Sequence, residues 1–97
     1  MKRIDFHPKA EIEFARDVEF YRERGARLST EFVAAVKSAL SFVQLNPDAG
    51  TPRGKEVRGW LVRRFPYTVI YREEDNRLFV LAIAAHRRHP GYWLERV

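Results

Sequence analysis

The sequence predicts a small α+β domain with the element order β-α-α-β-β-β, in which a helical hairpin packs on one face of a small, mainly antiparallel sheet. Two observations support this prediction. Residues 8–45 contain two segments with apolar residues at helical spacing, and residues 56–85 contain three strand-like segments joined by short turns. The 97 residues have room for one hydrophobic core, so we expect a single domain over residues 1–97.

The first two predicted elements are a short strand and a helix. Ile4 and Phe6 alternate with polar neighbours, which is typical of a strand with one buried face. Pro8 suits the first turn of a helix, where its missing N–H costs nothing, and Gly25 suits a left-handed helix end. The pattern predicts a helix over residues 8–24, whose apolar positions are Ala10, Phe14, Val18 and Tyr21.

The second helix is predicted over residues 28–45. Its buried stripe is formed by Phe32, Val36, Ala39 and Val43. Small residues beside the stripe are expected to allow close approach to the first helix; these are Ala34, Ala35, Ser38 and Ser41. Pro47 disfavours helical geometry in Asn46, so the helix should end there.

Residues 48–54 are predicted to form a loop, followed by strands over residues 56–65, 67–73 and 77–85. Pro66 marks the turn between the first two of these strands, and residues 74–76 mark the next turn. Connections this short force neighbouring strands to run antiparallel.

The last two strands are apolar on both faces, and the helical hairpin can cover only one face. In 97 residues, the only segment left for the other face is the C-terminal tail. Tyr92 and Trp93 are typical of a tail that folds back onto apolar surface. We nevertheless expect much of this second face to remain exposed, and an exposed apolar surface of that size indicates a binding partner.

Composition excludes several classes of protein. The chain has no cysteine, which excludes disulfides and thiolate metal sites and fits a reducing cytoplasm. No apolar segment approaches the length of a membrane span, so we expect a soluble, cytoplasmic protein with no membrane partner. No glycine-rich phosphate loop or nucleophile elbow is present. His86 and His89 lack further ligands nearby, so we expect neither a metal nor a cofactor.

The positive charge lies in the second half of the chain. Residues 1–52 carry 8 Lys/Arg and 8 Asp/Glu, whereas residues 53–97 carry 10 Lys/Arg and 5 Asp/Glu, giving the net charge of +5. Arginine binds phosphate and carboxylate through two parallel hydrogen bonds and stacks on aromatic rings. The pattern favours an anionic or nucleic-acid-like partner, although a solvated basic surface is the alternative.

His86 directly follows the last apolar strand and is the one candidate proton carrier at a strand exit. Histidine titrates closest to neutral pH, so with Arg63, Arg64 and Arg87 it could support metal-independent RNA cleavage. The alternative is a structural histidine at the sheet edge. Strand alternation places Arg63 and Arg64 on opposite faces, and either could instead pair with Glu56 or Glu73.

Several segments together resemble the RelE/ParE superfamily of type II toxin–antitoxin toxins over nearly the whole chain. The first two are His7-Pro8, which opens the first helix, and Asn46-Pro47-Asp48-Ala49-Gly50, which follows the second. The others are Arg63-Arg64-Phe65-Pro66-Tyr67-Thr68-Val69-Ile70-Tyr71 and Ala84-Ala85-His86-Arg87-Arg88-His89-Pro90-Gly91-Tyr92-Trp93.

The resemblance implies a toxin that is neutralised when a segment of a cognate antitoxin wraps around it. RelE-like members cleave mRNA on the ribosome, whereas ParE-like members inhibit DNA gyrase. The RelE-like site residues are matched by Arg63, Arg87 and loosely Tyr92, which with His86 form the candidate catalytic set. Thr68 stands where those nucleases commonly carry an arginine, and their loop lysines are reduced to Lys55 with Arg53 nearby.

These departures favour a ParE-like toxin that acts by binding gyrase. A RelE-like, ribosome-dependent endoribonuclease is the alternative, and a non-toxic binding module is the third possibility. For a binding protein, the candidate contact residues are Arg53, Lys55, Arg64, Arg88 and Trp93.

Overall fold

The computed structural model describes residues 1–97 and contains one five-stranded sheet with two helices packed on one face. The helices are α1 (Pro8–Arg24) and α2 (Ala26–Leu45). The strands are β1 (Arg3–Phe6), β2 (Thr51–Pro52), β3 (Val57–Leu61), β4 (Tyr67–Glu73) and β5 (Arg77–Ala85). The predicted α+β fold class is confirmed, with the two-residue β2 as one strand that the sequence pattern did not predict.

The strand order is β1-β5-β4-β3-β2, so the last strand in sequence lies inside the sheet. β1 pairs with β5 in parallel, with Arg3 opposite Arg77. The other neighbours are antiparallel, with Tyr67 of β4 opposite Ala85 of β5. The short turns required this antiparallel arrangement. The parallel pair is possible because the whole helical hairpin lies between β1 and the later strands.

Gly25 joins the two helices directly. The predicted bounds of α1 are confirmed, and the His7 imidazole Nδ1 caps its start by accepting a hydrogen bond of 3.1 Å from the backbone N–H of Lys9. Gly25 has φ 155° and ψ 130°, so the predicted left-handed helical conformation is wrong, although the positive φ still favours glycine. Because this single residue ends one helix and precedes the next, α2 begins at Ala26 rather than at the predicted residue 28.

The main core lies between the helical hairpin and the sheet. The predicted stripe of α2 is buried there against β4 and β5, and Phe32 lies 4.7 Å from the Tyr67 ring and 5.2 Å from the Phe65 ring between centroids. Neither helix is long and apolar enough to cross a membrane. The fully buried side chains of this core include Phe32, Val36, Val43, Tyr67, Val69, Tyr71 and Val80.

The second face of the sheet is covered by residues 90–97, which we call the C-terminal strap. Gly91 turns the chain with φ 78°, and Trp93 then packs on the sheet with 7% of its surface exposed. The expectation that this apolar face remains exposed is therefore wrong. Helical and strand periodicity could not show that so short a tail supplies enough apolar surface. The smaller core under the strap consists of Val57, Ile70, Leu81, Ala82, Ala84 and Trp93.

β3 ends at Leu61, four residues before the predicted end at Phe65. The Val62 N–H donates to the Tyr67 carbonyl at 2.9 Å, which closes a turn, and Val62 and Phe65 both enter the main core. Strand alternation therefore does not apply to Arg63 and Arg64. The prediction that these two arginines lie on opposite faces of a strand is wrong.

We expect Trp93→Ala to lower the free energy of unfolding by about 3 kcal/mol, because it removes the largest side chain of the smaller core. Leu94→Ala serves as the control, since Leu94 is exposed, and it should change stability by less than about 0.5 kcal/mol. Urea denaturation of both variants measures the difference. Equal stability of the two variants would show that the strap does not cover the sheet in solution.

Candidate functional site

Three concave surfaces contain the charged residues that follow the strands. The largest, which we call the edge groove, has a volume of about 880 Å³ and lies between α2 and β3 at the edge of the sheet. It is lined by Glu31, Ala34, Ala35, Ser38, Ala39, Phe42, Thr51, Arg53, Gly59, Trp60, Leu61, Arg63 and Arg64.

The floor of the edge groove is apolar and partly exposed. Phe42 of α2 and Trp60 of β3 stack with ring centroids 4.5 Å apart and an angle of 17° between the rings. Phe42 is 40% exposed and Leu61 is 62% exposed. Ala34 and Ser38, which were predicted to allow close approach to α1, are exposed and line this groove.

The groove also has an unpaired strand edge and a positive rim. β2 pairs only with Arg58 and Gly59 of β3, so the end of β3 at Leu61 has no neighbouring strand on that side. Three arginines and one carboxylate line the groove, and the carboxylate of Glu31 lies 3.4 Å from Arg64. The predicted pairing of Arg63 or Arg64 with Glu56 or Glu73 is therefore not observed. The groove combines an apolar floor, an open strand edge and excess positive charge.

The second surface, which we call the α1 cleft, has a volume of about 300 Å³ and lies between α1 and the residues that follow β5. Arg87 reaches the Asp17 carboxylate at 3.3 Å, so this carboxylate offsets part of its charge, although the Arg87 side chain remains 58% exposed. Burial raises the pKa of Asp17, and the charge and hydrogen bond of Arg87 oppose that rise. Burial together with the charge of Asp17 raises the pKa of Tyr67.

An ion pair beside the α1 cleft fastens the C-terminal strap to the first helix. The buried Arg96 guanidinium donates to the Glu13 carboxylate at 2.9 and 2.5 Å and to the Leu81 carbonyl at 3.0 Å. Burial acts to raise the pKa of Glu13, but the hydrogen bond and charge of Arg96, helped by Arg88 and Arg16, outweigh it and lower that pKa.

The third surface, which we call the outer cleft, has a volume of about 340 Å³ and lies between the strap and the sheet where β5 ends. Thr68 Oγ1 and His86 Nε2 share a hydrogen bond of 2.8 Å. The His86 backbone N–H donates to the Pro66 carbonyl at 2.8 Å, which holds the histidine at the strand exit. Arg53 and Leu61 border both this cleft and the edge groove.

The residues predicted from sequence divide among these surfaces. His86, Arg88, Tyr92, Trp93 and Arg53 line the outer cleft, and Arg88 and Tyr92 also border the α1 cleft. Arg63 and Arg64 line only the edge groove, and Arg87 lines only the α1 cleft. Lys55 is exposed in the loop before β3 and lines none of the three. No one cleft contains His86, Arg63 and Arg87 together.

Sequence reasoning missed the residues that make the edge groove and the strap. Phe42 and Trp60 are far apart in sequence, and nothing in either segment indicated that they would stack. Phe42 lies beside the predicted stripe of α2 and makes the apolar face wider than one buried surface needs, which was a signal of a second contact surface. Glu13 and Arg96 are separated by 83 positions and gave no signal at all.

The geometry is that of a two-helix, five-stranded α+β protein with surfaces suited to macromolecular binding, and comparisons with known proteins identify its family. A family model described as "ParE toxin of type II toxin-antitoxin system, parDE" matches residues 4–90. The chain therefore belongs to the ParE toxin family, which confirms the resemblance seen in the sequence.

A solved structure agrees with this fold. A chain from the "Chromosomal ParDE TA system from P. aeruginosa" superposes with a TM-score of 0.75 at 20% sequence identity. The match covers 88% of this chain and 96% of that chain, and at this identity it shows a shared fold. No curated protein matches the sequence.

The Glu13–Arg96 pair predicts an acid-sensitive strap. Because the folded-state pKa of Glu13 is lowered, its stabilising contribution is complete above the unfolded pKa of about 4.3 and is lost as the pH falls further. The free energy of unfolding of Glu13→Gln should therefore differ most from that of the wild type at pH 7, and the difference should shrink at pH 3. Urea denaturation at both pH values measures this change. A difference that stays constant with pH would contradict the ion pair.

Proposed function

We propose that this member of the ParE family acts as a toxin by binding its target, DNA gyrase, and that an antitoxin segment neutralises it. The observation that supports binding over RNA cleavage is the division of His86, Arg63 and Arg87 among three surfaces. Membership of the ParE family and the Thr68 position favour gyrase over the ribosome as the target.

RNA cleavage without a metal needs a proton carrier and cations around one phosphate, all within hydrogen-bond distance. In this chain the ring of His86 is hydrogen-bonded to Thr68, and Arg87 is paired with Asp17. Arg63 lies in the edge groove beside α2. A ribonuclease would have to break the Arg87–Asp17 pair and move Arg63 to a different surface before these groups could act together.

The edge groove is our proposed site for the antitoxin. Its Phe42–Trp60 floor suits the apolar face of an amphipathic helix, and the open edge of β3 at Leu61 can pair with an extended segment. Three arginines against one glutamate favour an acidic partner. The proposed occupant is thus an acidic antitoxin segment with apolar residues at helical spacing.

Purified protein should inhibit gyrase-catalysed supercoiling of relaxed plasmid DNA in a concentration-dependent manner. It should also produce no new cuts when primer extension is performed on mRNA translated in its presence. Inhibition arises because the protein occupies gyrase, so adding the antitoxin should restore supercoiling.

Two outcomes would contradict this proposal in different ways. New mRNA cuts with unaffected gyrase would support the ribonuclease alternative. Neither cuts nor gyrase inhibition, together with normal growth on induced expression, would support the non-toxic binding module.

Ala34→Glu should weaken antitoxin binding at least about ten-fold, because it places a bulky negative charge in the groove that the acidic antitoxin segment is proposed to occupy. Ala34 is exposed on α2, so the fold should be retained. Calorimetric titration with the cognate antitoxin measures the change.

Ala26→Glu is the matched control, because Ala26 is exposed on the same helix and lies outside the groove. Its affinity for the antitoxin should stay within about two-fold of the wild type. If both variants changed the affinity for the antitoxin equally, the antitoxin would bind another surface. That outcome would leave the proposal about gyrase unaffected.

A further inference from the structure

The outer cleft has a polar lining that is entirely neutral or basic. Two arginines, two histidines and one threonine line it, and none of its thirteen lining residues carries a carboxylate. The other two surfaces do contain carboxylates. Glu13 and Asp17 line the α1 cleft, and Glu31 lines the edge groove. The polar side chains are Arg53, Thr68, His86, Arg88 and His89.

Gly59 allows Arg53 to lie flat across the sheet beside this cleft. A Cβ atom at residue 59 would come within 2.9 Å of Arg53 Nε and 3.2 Å of Arg53 Nη2. The same atom would come within 3.1 Å of the methyl group of Thr68. The absence of a side chain at Gly59 therefore makes the space in which the Arg53 guanidinium lies next to Thr68. Arg53 forms no ion pair with any carboxylate of the chain.

Thr68 and His86 extend the polar surface from Arg53 across the sheet. Thr68 is buried in β4, and its hydroxyl shares the 2.8 Å hydrogen bond with His86 Nε2. Since the backbone of His86 is fixed to Pro66, the imidazole has a defined position. Thr68 and His86 are thus held in place before any ligand arrives, and the exposed Arg53 side chain lies beside them over Gly59.

Arg88 supplies the second guanidinium of the outer cleft. Its Cζ atom lies 3.8 Å from the centroid of the Tyr92 ring, which keeps the guanidinium at the surface of the strap. The Glu13 carboxylate is 3.7 Å away and is bound more closely by Arg96, so Arg88 keeps capacity to bind another anion. The Tyr92 ring also gives the cleft an aromatic wall.

We propose that the outer cleft binds the phosphate group of a nucleotide, either free or within a nucleic-acid strand. A phosphate monoester carries more negative charge than a carboxylate and has three terminal oxygens, so it suits two guanidinium groups, Arg53 and Arg88, with the His86 imidazole beside them. The cleft volume of about 340 Å³ suits one nucleotide rather than a protein segment. The outer cleft shares Arg53 and Leu61 with the antitoxin groove, but its other lining residues are different. Phosphate binding there is independent of whether gyrase is the target.

The test uses the full-length protein and two pairs of ligands. Thymidine 5′-phosphate is compared with thymidine, and a single-stranded oligodeoxynucleotide is compared with inorganic phosphate. Backbone amide resonances of Thr68 and His86 should shift with thymidine 5′-phosphate and remain unchanged with thymidine. If inorganic phosphate also binds, the cleft is a pocket for a single phosphate group. If the oligonucleotide binds and inorganic phosphate does not, the cleft recognises a phosphate within a strand.

Arg53→Gln should weaken binding of the phosphate ligand at least about ten-fold, because it removes the unpaired guanidinium. Gly59→Ala should weaken it in the same direction by displacing Arg53 while keeping the charge. Arg27→Gln is the matched control, since it removes the same charge from an exposed position that borders no cleft. Its affinity should stay within about two-fold of the wild type.

Equal weakening by Arg53→Gln and Arg27→Gln would overturn the proposal, because binding would then depend on net charge alone. Equal shifts with thymidine and with its phosphate would also overturn it. Amide spectra of each variant without ligand establish that the fold is retained. A misfolded Gly59→Ala variant would leave Arg53→Gln as the deciding measurement.

Discussion

The fold depends on one constraint, which is that β4 and β5 are apolar on both faces and both faces must be kept from water. The helical hairpin covers one face with the stripe of α2, and the C-terminal strap covers the other with Trp93. Burial of apolar surface is the dominant favourable contribution to folding, so neither cover is optional for a chain of this length. The places where the two covers end are where the edge groove, the α1 cleft and the outer cleft open.

The helical hairpin and the C-terminal strap are attached to the sheet by different contacts. α2 continues into a loop that is anchored by Tyr71, whose hydroxyl donates to the Pro47 carbonyl at 2.6 Å and accepts from the Gly50 N–H at 3.1 Å. That loop leads to β2 and places Arg53 between the edge groove and the outer cleft. The strap is held instead by Trp93 and by the Arg96–Glu13 pair. A protein bound in the groove and an anion bound in the outer cleft would therefore share Arg53 and Leu61 at their common border and otherwise contact different residues.

Much of the fold could be predicted from sequence because local signals bounded the elements. Pro8 and Gly25 enclosed the first helix, and the turn at residues 74–76 fixed the ends of β4 and β5. The end of β3 was mispredicted because Val62 and Phe65 are as apolar as strand residues, although they enter the core from a turn. The candidate site was predicted only in part. His86, Arg88 and Arg53 meet in one cleft, but the Phe42–Trp60 stack and the space at Gly59 depend on contacts between distant segments.

The position of β5 has a consequence for protein synthesis. β1 emerges first from the ribosome, yet its only partner in the sheet is β5, with Arg3 opposite Arg77. The sheet can therefore close only after the nascent chain includes β5, and such non-local pairing slows folding. A chain released early from a stalled ribosome would lack the strand that joins β1 to β4. For a member of a toxin family, this topology restricts the folded form to translation products that extend through β5.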